Sequence, residues 1–476
     1  MRRSSFIMLL LAFAMQQSAM AEELAAAVSK FDWNGLEVTW VKDEKLPLYQ
    51  MIIYFADGAL GDASDATGES EALFDLLESG TDRYSQSEIA EQVDYYATRI
   101  GSEVTHEYSV LAVSGLLKDL PQHLKLICHL WSKSNFPVAE LQKYQQRKSS
   151  ELENLLASPA GLADRVFRAL SLRDTPYQRP AGVTLSGLLG LSSERLRARQ
   201  RFFHQQVNKR IYLSGPQGVL AAKDILINEC GFNAKLNQNA KFVRRVDAAP
   251  MQRPKSGARQ KSGARQKSGQ IYLVDIPHSN QAQIKIGRYL ERTQIKEPDL
   301  LKVAANFLGG GGTISRLMQE LRYKRGLTYG AMANISSQRD YGRAVIGTST
   351  KLESVEDALR VIKKVLADSA QGKWEKSALT DSTNYLAGSY LFSFEDPGQF
   401  LTQALYFDHT ERKYKELYDF PKKILTYKEK EIAEQIKKVF KWEEQTVVVL
   451  GSISPALERK LRTLGKVQRV NYHDYL

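Results

Sequence analysis

Seven histidines stand in this sequence, at positions 106, 123, 129, 204, 278, 409 and 473, and no two are three or four residues apart. A helix that grips zinc through two imidazoles needs them one turn apart. That chemistry has no histidine pair to use. The run Gly309-Gly310-Gly311-Gly312 invites a phosphate-loop reading, but it lacks the Lys followed by Ser or Thr of a P-loop. A dinucleotide fingerprint spaces its glycines after a strand, whereas these four follow a helical stretch, so phosphate binding is set aside. The two cysteines, Cys128 and Cys230, leave two readings open. They could pair in an oxidising compartment, and Cys128, on an apolar helical stretch, could equally be a buried thiol.

The formal charge is +12, with a pI near 9.3, and its placement matters more than its total. Part of it lies in a repeat: Lys255 to Gln260 recurs as Lys261 to Gln266 and begins again at Lys267. Small residues and no apolar period make this a flexible basic linker. It has no interleaved aromatics, which argues against a nucleic-acid strand as its partner. At the N-terminus, Arg2 and Arg3 precede an apolar run from Phe6 to Met15 and a small-x-small site at Ala19-Met20-Ala21. This reads as a cleavable secretory signal over 1–21, the run being far below the ~20 residues of a spanning helix. Hydrophobic residues at 43% and charged residues at 25% place the rest in ordinary globular territory with more than one domain.

The elements around these residues repeat. Before the linker, Leu36, Val38 and Trp40 alternate as in a strand, Tyr49 to Phe55 form a second, and Ala72, Leu73, Leu76 and Leu77 share one helical face up to Gly80-Thr81. Val104 to Ser114 predicts a strand leading into a helix from Leu120 to Trp131, and Arg210 to Ser214 a closing strand. After the linker, Ile271 to Ile276 and then Ala282, Ile284 and Ile286 predict two strands, with a helical stretch to Leu308 before the glycines. Ala344 to Thr348 leads into a helix bearing Val355, Ala358, Leu359, Ile362, Val365 and Leu366, and Thr446 to Leu450 closes the pattern. The expected organisation is therefore α+β, two homologous halves at 22–250 and 271–476 joined by a linker at 251–270.

This order resembles the pitrilysin/insulinase family of zinc peptidases over nearly the whole chain after the signal. The resemblance is specific at three places. At Gly68 to Thr81 the family has H-x-x-E-H followed by an apolar stretch and Gly-Thr. Counted back from Gly80-Thr81, the first histidine falls on Glu71, the general-base glutamate on Phe74 and the second histidine on Asp75. All three residues are changed. Phe74 cannot take a proton from water, and Glu71 with Asp75 sets two like charges at i,i+4, a mildly destabilising pair unless a cation lies between them. The family's third ligand, a glutamate on a helix ahead of a proline, is best matched by Glu151, eight residues before Pro159, with Glu153 a competing register. Glu71, Asp75 and Glu151 together could hold a hard cation such as Ca²⁺; three carboxylates facing a wet cavity is the favoured reading.

The other two places are Gly309 to Leu317, similar to the family's glycine-rich turn before Ser-Arg-Leu, and Leu321-Arg322-Tyr323-Lys324-Arg325-Gly326-Leu327-Thr328-Tyr329, similar to its Leu-Arg-x-x-x-Gly-Leu-x-Tyr. The resemblance implies mainly antiparallel sheets covered by helices in a clamshell-like subunit, with Arg322 bonding the substrate backbone and Tyr329 stabilising an oxyanion. Gly309, Gly310, Gly311 and Gly312 could let a peptide backbone approach closely or could equally form a plain turn. No metal is expected in this chain and no activity from it alone. Zinc belongs to a homologous partner with an intact motif, so the expected function is the non-catalytic subunit of a heterodimeric periplasmic endopeptidase. The alternative is an inactive peptide-binding or scaffold protein of the envelope.

Overall fold

The computed structural model describes residues 27–232, 269–390, 392 and 396–476. The signal at 1–21 and the basic repeat up to residue 268 lie outside the described residues. The last linker position is structured: Gln270 is the first residue of a strand, and Gly269 at φ +98° donates its N–H to the Gln445 carbonyl at 3.0 Å.

Two six-stranded sheets carry the fold. The first contains β1 (Val28–Trp33), β2 (Leu36–Lys42), β3 (Leu48–Phe55), β4 (Arg99–Val104), β5 (Ser109–Leu116) and β6 (Lys209–Gly215), in the order β1-β2-β6-β3-β5-β4. The second contains β7 (Gln270–Asp275), β8 (Gln281–Glu291), β9 (Ala331–Ser337), β10 (Tyr341–Lys351), β11 (Thr446–Gly451) and β12 (Lys466–Val470), in the order β12-β7-β11-β8-β10-β9. Reading β2 to β6 against β7 to β11 gives the same neighbours in the same chain order. The sole parallel pair inside that shared core is β2 with β6 in one sheet and β7 with β11 in the other. The duplication legible in the sequence is thus a duplication of topology. Only the outer strand differs: β1 enters as an antiparallel hairpin with β2, whereas β12 arrives late and runs parallel to β7.

Strand alternation sets which face is core. In β3, Tyr49, Met51, Ile53 and Phe55 are buried, and in β8 Ala282, Ile284 and Ile286 are buried, as a period of two requires. One expectation needs correcting. The segment Val104 to Ser114 is not one strand but the turn of the β4–β5 hairpin and the strand after it. Thr105 makes the turn: its hydroxyl accepts the N–H of Glu107 at 3.2 Å and of Tyr108 at 3.0 Å, a side-chain turn that competes with the ladder.

A single boundary at 251–270 also fails to describe the packing. The first compact unit takes described residues within 1–149, 181–247 and 391–414, and the second those within 150–180, 248–390 and 415–476. The Pro159–Ser171 helix turns Leu162, Ala163, Val166, Phe167 and Leu170 inward and so belongs to the second unit, where Lys285 of β8 pairs with Asp164 at 3.8 Å. Conversely, the Pro397–His409 helix belongs to the first. There His409 is fully buried, Nδ1 at 3.0 Å from the Tyr54 hydroxyl and Nε2 at 2.9 Å from Glu107.

The cysteines are paired. Cys128, on the Leu120–Lys133 helix, is bonded to Cys230, with Cα atoms 4.5 Å apart and a sequence separation of 102. Closing so long a loop removes denatured-state entropy worth about 4–5 kcal/mol in the chain-entropy model. Replacing both cysteines by serine is expected to lower stability by about 2–4 kcal/mol, visible as a Tm loss of roughly 5–10 °C in scanning calorimetry. An unchanged Tm would show that the bond does not constrain the chain in solution.

Candidate functional site

The Glu69–Asp75 helix, which carries the three motif positions, is anchored at its start. Gly68 before it has φ +91°, and a Cβ there would lie 2.4 Å from Val183 Cα; only glycine fits. The Asp62 carboxylate accepts the N–H groups of Gly68 and Ser70, each at 3.1 Å, and the Ser70 hydroxyl. Buried Arg199 reaches Asp57 at 3.1 Å and Asp62 at 3.6 Å and donates to the Gly58 carbonyl and Ser70. Burial pushes the Asp62 carboxyl up to about 6, with Arg199 and Ser70 pulling the other way. A carboxylate at a helix start satisfies free N–H groups and the positive end of the dipole.

From that start the helix presents two faces. Phe74, where the base would stand, turns into the core: its ring lies 5.4 Å from Phe203, 5.5 Å from Phe55 and 5.9 Å from Trp131, centroid to centroid. Glu71 and Asp75 lie on the outer face, Glu71 half-buried and Asp75 exposed. Between them sits a cation that sequence reasoning had required but not named. Lys148, on the Val138–Glu153 helix, places Nζ 2.8 Å from Glu71 and 3.3 Å from Asp75. Burial by itself would lower the pKa of the ammonium; the two carboxylates outweigh that and hold it above its ordinary range. The second oxygen of Glu71 accepts the Val183 N–H at 2.7 Å.

Glu151, expected as the remnant third ligand, is exposed one turn further along the helix of Lys148, and the competing Glu153 is exposed as well. Among the described residues no three His, Cys, Asp or Glu side chains are grouped to hold a metal ion. The missed signal was the like-charged i,i+4 pair itself, which calls for a partner. Only the three-dimensional register of the Val138–Glu153 helix selects Lys148 over Arg147 or Glu151. Beside the pair opens a groove of about 600 Å³, lined by Asp75, Glu78, Gln86, Lys143, Tyr144 and Arg147 among others. Burial raises the Glu78 carboxyl in it.

In the second unit the glycine run is a tight packing device before it is anything else. The Pro298–Ala305 helix continues into a wider π-helical turn, Asn306–Gly310. A Cβ on Gly309 would lie 2.2 Å from the Ala333 backbone nitrogen of β9, so the turn rests directly on the sheet. Asn306 ties it down by donating to the Ser382 carbonyl at 3.1 Å and hydroxyl at 2.8 Å. Gly310 and Gly312 are exposed, Gly311 is buried, and Gly312 has φ +57°.

The Arg and Tyr positions follow on a second π-helical turn, Met318–Tyr323. Leu321 is fully buried and anchors it. The chain then reverses through Gly326 at φ +63°, whose N–H meets the Arg322 carbonyl at 2.8 Å while that of Leu327 meets Leu321 at 2.8 Å. Thr328 is buried, and its hydroxyl donates to Gly330 and accepts from Thr348 of β10. Thr350 adds a bond to the Leu327 carbonyl at 2.6 Å. With its neighbours so fixed, Tyr329 is left 83% exposed, and Arg322 is exposed with its guanidinium 5.6 Å from the Tyr323 ring.

Comparison with known proteins converges on one family. A family described as the Peptidase M16 inactive domain matches residues 235–386. An uncharacterized zinc protease of Streptomyces coelicolor is 22% identical over 356 residues, 73% of this chain and 72% of that protein. Another, from Bacillus subtilis, is 20% identical over 76% of this chain and 83% of its own length. Among solved structures, a peptidase M16 inactive domain from Pseudomonas fluorescens superposes with a TM-score of 0.74 at 20% identity, covering 90% of this chain and 98% of that one. The periplasmic protease PqqL from Escherichia coli superposes with a TM-score of 0.68 at 12% identity, over 92% of this chain and 50% of that one. With the duplicated topology and the Gly-Thr-bounded helix, these likenesses support a non-catalytic member of the pitrilysin/insulinase-type peptidases, one in which none of the three residues of the inverted zinc motif remains.

Proposed function

We propose that this chain is the non-catalytic subunit of a heterodimeric periplasmic zinc endopeptidase, lending Arg322 and Tyr329 to a homologous subunit that carries zinc and the general base. The observation that carries this reading is the contrast between the two motifs. The zinc positions are given over to a core phenylalanine and a lysine-bridged carboxylate pair, while the Arg/Tyr turn is built to hold two exposed side chains in place. Donors fixed in advance where charge develops in a tetrahedral intermediate are the strongest single contribution in acyl-transfer chemistry. The partner supplies metal and base; this chain supplies the arginine and the tyrosine.

Placement outside the cytoplasm is supported by the Cys128–Cys230 disulfide, since such bonds persist in oxidising compartments. Edge strands β4 and β9 each have one side of the ladder unpaired within their sheets, which suits an extended peptide added as a further strand. A second reading, a peptide-binding or scaffold protein without proteolysis, draws on the groove beside Asp75 and Glu78, which needs no partner to exist.

A quenched peptide library separates the two. The mature chain alone is expected to cleave nothing, and a mixture with an intact homologue to cleave. Arg322→Ala should lower kcat/KM of the mixture by roughly 10²–10³-fold with subunit association unchanged in sedimentation, and Tyr329→Phe by somewhat less. Silence in every mixture, with retained peptide binding, would favour the scaffold. Gly310→Val is expected to weaken peptide capture more than subunit association; equal loss of both would remove the glycine turn from the peptide path. Phe74→Glu alone should restore no activity and should destabilise the chain by about 3 kcal/mol or more, because it buries a carboxylate among aromatic rings. Cleavage by that variant alone would overturn the assignment of Phe74 to the core.

A further inference from the structure

The place between Glu71 and Asp75 is built like a cation site that already has its cation. Three separate segments close on it. The Glu69–Asp75 helix brings two carboxylates one turn apart, the Val138–Glu153 helix brings Lys148, and the backbone at 182–183 folds over Glu71. That last approach is close: a Cβ on Gly182 would lie 2.9 Å from the Glu71 oxygen that accepts the Val183 N–H. The Lys148 side chain is only 16% exposed, against 25% for Glu71 and 29% for Asp75. A flexible surface lysine pairing by chance would remain in water, where such pairs contribute little. This one is enclosed, and its charge is set against two anions rather than one.

We propose that Lys148 is a tethered cation, taking the place a bound divalent ion would take between Glu71 and Asp75 and barring one from it. This goes beyond the proposed function and does not depend on it: it says how the first unit keeps these helices joined without metal, whatever the chain's partner. Two oxygen anions select a hard ion, so the ion it excludes is of the Ca²⁺ or Mn²⁺ class. Lys148→Arg, which keeps the charge, should preserve the arrangement in part, and Lys148→Met, which keeps the stem and removes the charge, should open it.

The test uses the full mature chain with its disulfide formed. Wild-type Tm is expected to be the same in EDTA and in millimolar Ca²⁺ or Mn²⁺, the range of weak oxygen-ligand sites. Lys148→Met should melt roughly 4–8 °C lower in EDTA and recover at least half of that loss with either ion, titration calorimetry showing one ion per chain. The recovery should vanish when Glu71→Gln and Asp75→Asn are added. If Lys148→Met folds poorly, its folded yield should rise with Ca²⁺ or Mn²⁺ and not with NaCl of equal ionic strength. The proposal is overturned if Lys148→Met melts like wild type in EDTA, if no divalent ion restores its stability or yield, or if the wild type itself binds one such ion through Glu71 and Asp75.

Discussion

Two carboxylates one turn apart on the same helix face, Glu71 half-buried and Asp75 exposed, repel each other. The repulsion is a few tenths of a kcal/mol on an exposed helix and grows as the dielectric falls. Lys148 resolves it at 2.8 and 3.3 Å, and the consequences spread from there. Because the lysine comes from the Val138–Glu153 helix, the bridge fixes how that helix lies on the Glu69–Asp75 helix. Because Glu71 also accepts the Val183 N–H, it fixes the entry to the next helical segment. The groove beside the bridge draws Asp75 from one of these helices and Glu140, Lys143, Tyr144 and Arg147 from the other.

The opposite face of the short helix obeys a different rule. Phe74 joins Phe55, Trp131 and Phe203 in edge-on and stacked contacts, and a buried aromatic side chain of this kind is worth several kcal/mol. A helix of 7 residues is too short to hold itself together by its own backbone bonds. It therefore depends on tertiary ties at three points: the Arg199–Asp62 cluster at its start, the aromatic cluster on its inner face and Lys148 on its outer one. Where the resemblance places histidine, glutamate and histidine, Glu71, Phe74 and Asp75 are each built into the local packing. The helix is tied at each of these three points by residues of this chain.

Much of this was legible in the sequence. The period-two runs gave the strands of both halves, and their repetition gave the duplicated topology, since local alternation and sheet position follow one rule. The Leu321–Tyr329 segment stood out in the sequence through its resemblance to the family's Leu-Arg-x-x-x-Gly-Leu-x-Tyr, and the structure adds the buried Leu321 and the left-handed Gly326 that shape its turn. What the sequence hid depends on contacts between distant residues. The crossing of the Pro159–Ser171 and Pro397–His409 helices into opposite units cannot be read from order alone, because an amphipathic face does not say which sheet it covers. Glu151 was the natural choice on spacing, yet the helix register turns Lys148 inward. The β4–β5 turn was hidden in an otherwise continuous β-rich run, where a single threonine side chain ends the ladder.

The residues of the Leu321–Tyr329 pattern divide by what the fold asks of them. The fold accounts for Leu321, which is buried, for Gly326, which needs φ +63°, and for Thr328, which bonds Gly330 and Thr348. Those residues would be kept by any chain that makes this turn. Arg322 contributes its carbonyl to the turn, which any residue could do, while its guanidinium is exposed, 5.6 Å from the Tyr323 ring. Tyr329 is 83% exposed beside two buried or backbone-bonded neighbours, a place where an aromatic ring gains nothing from burial. Stability therefore explains the frame, on which Arg322 and Tyr329 stand exposed among the described residues.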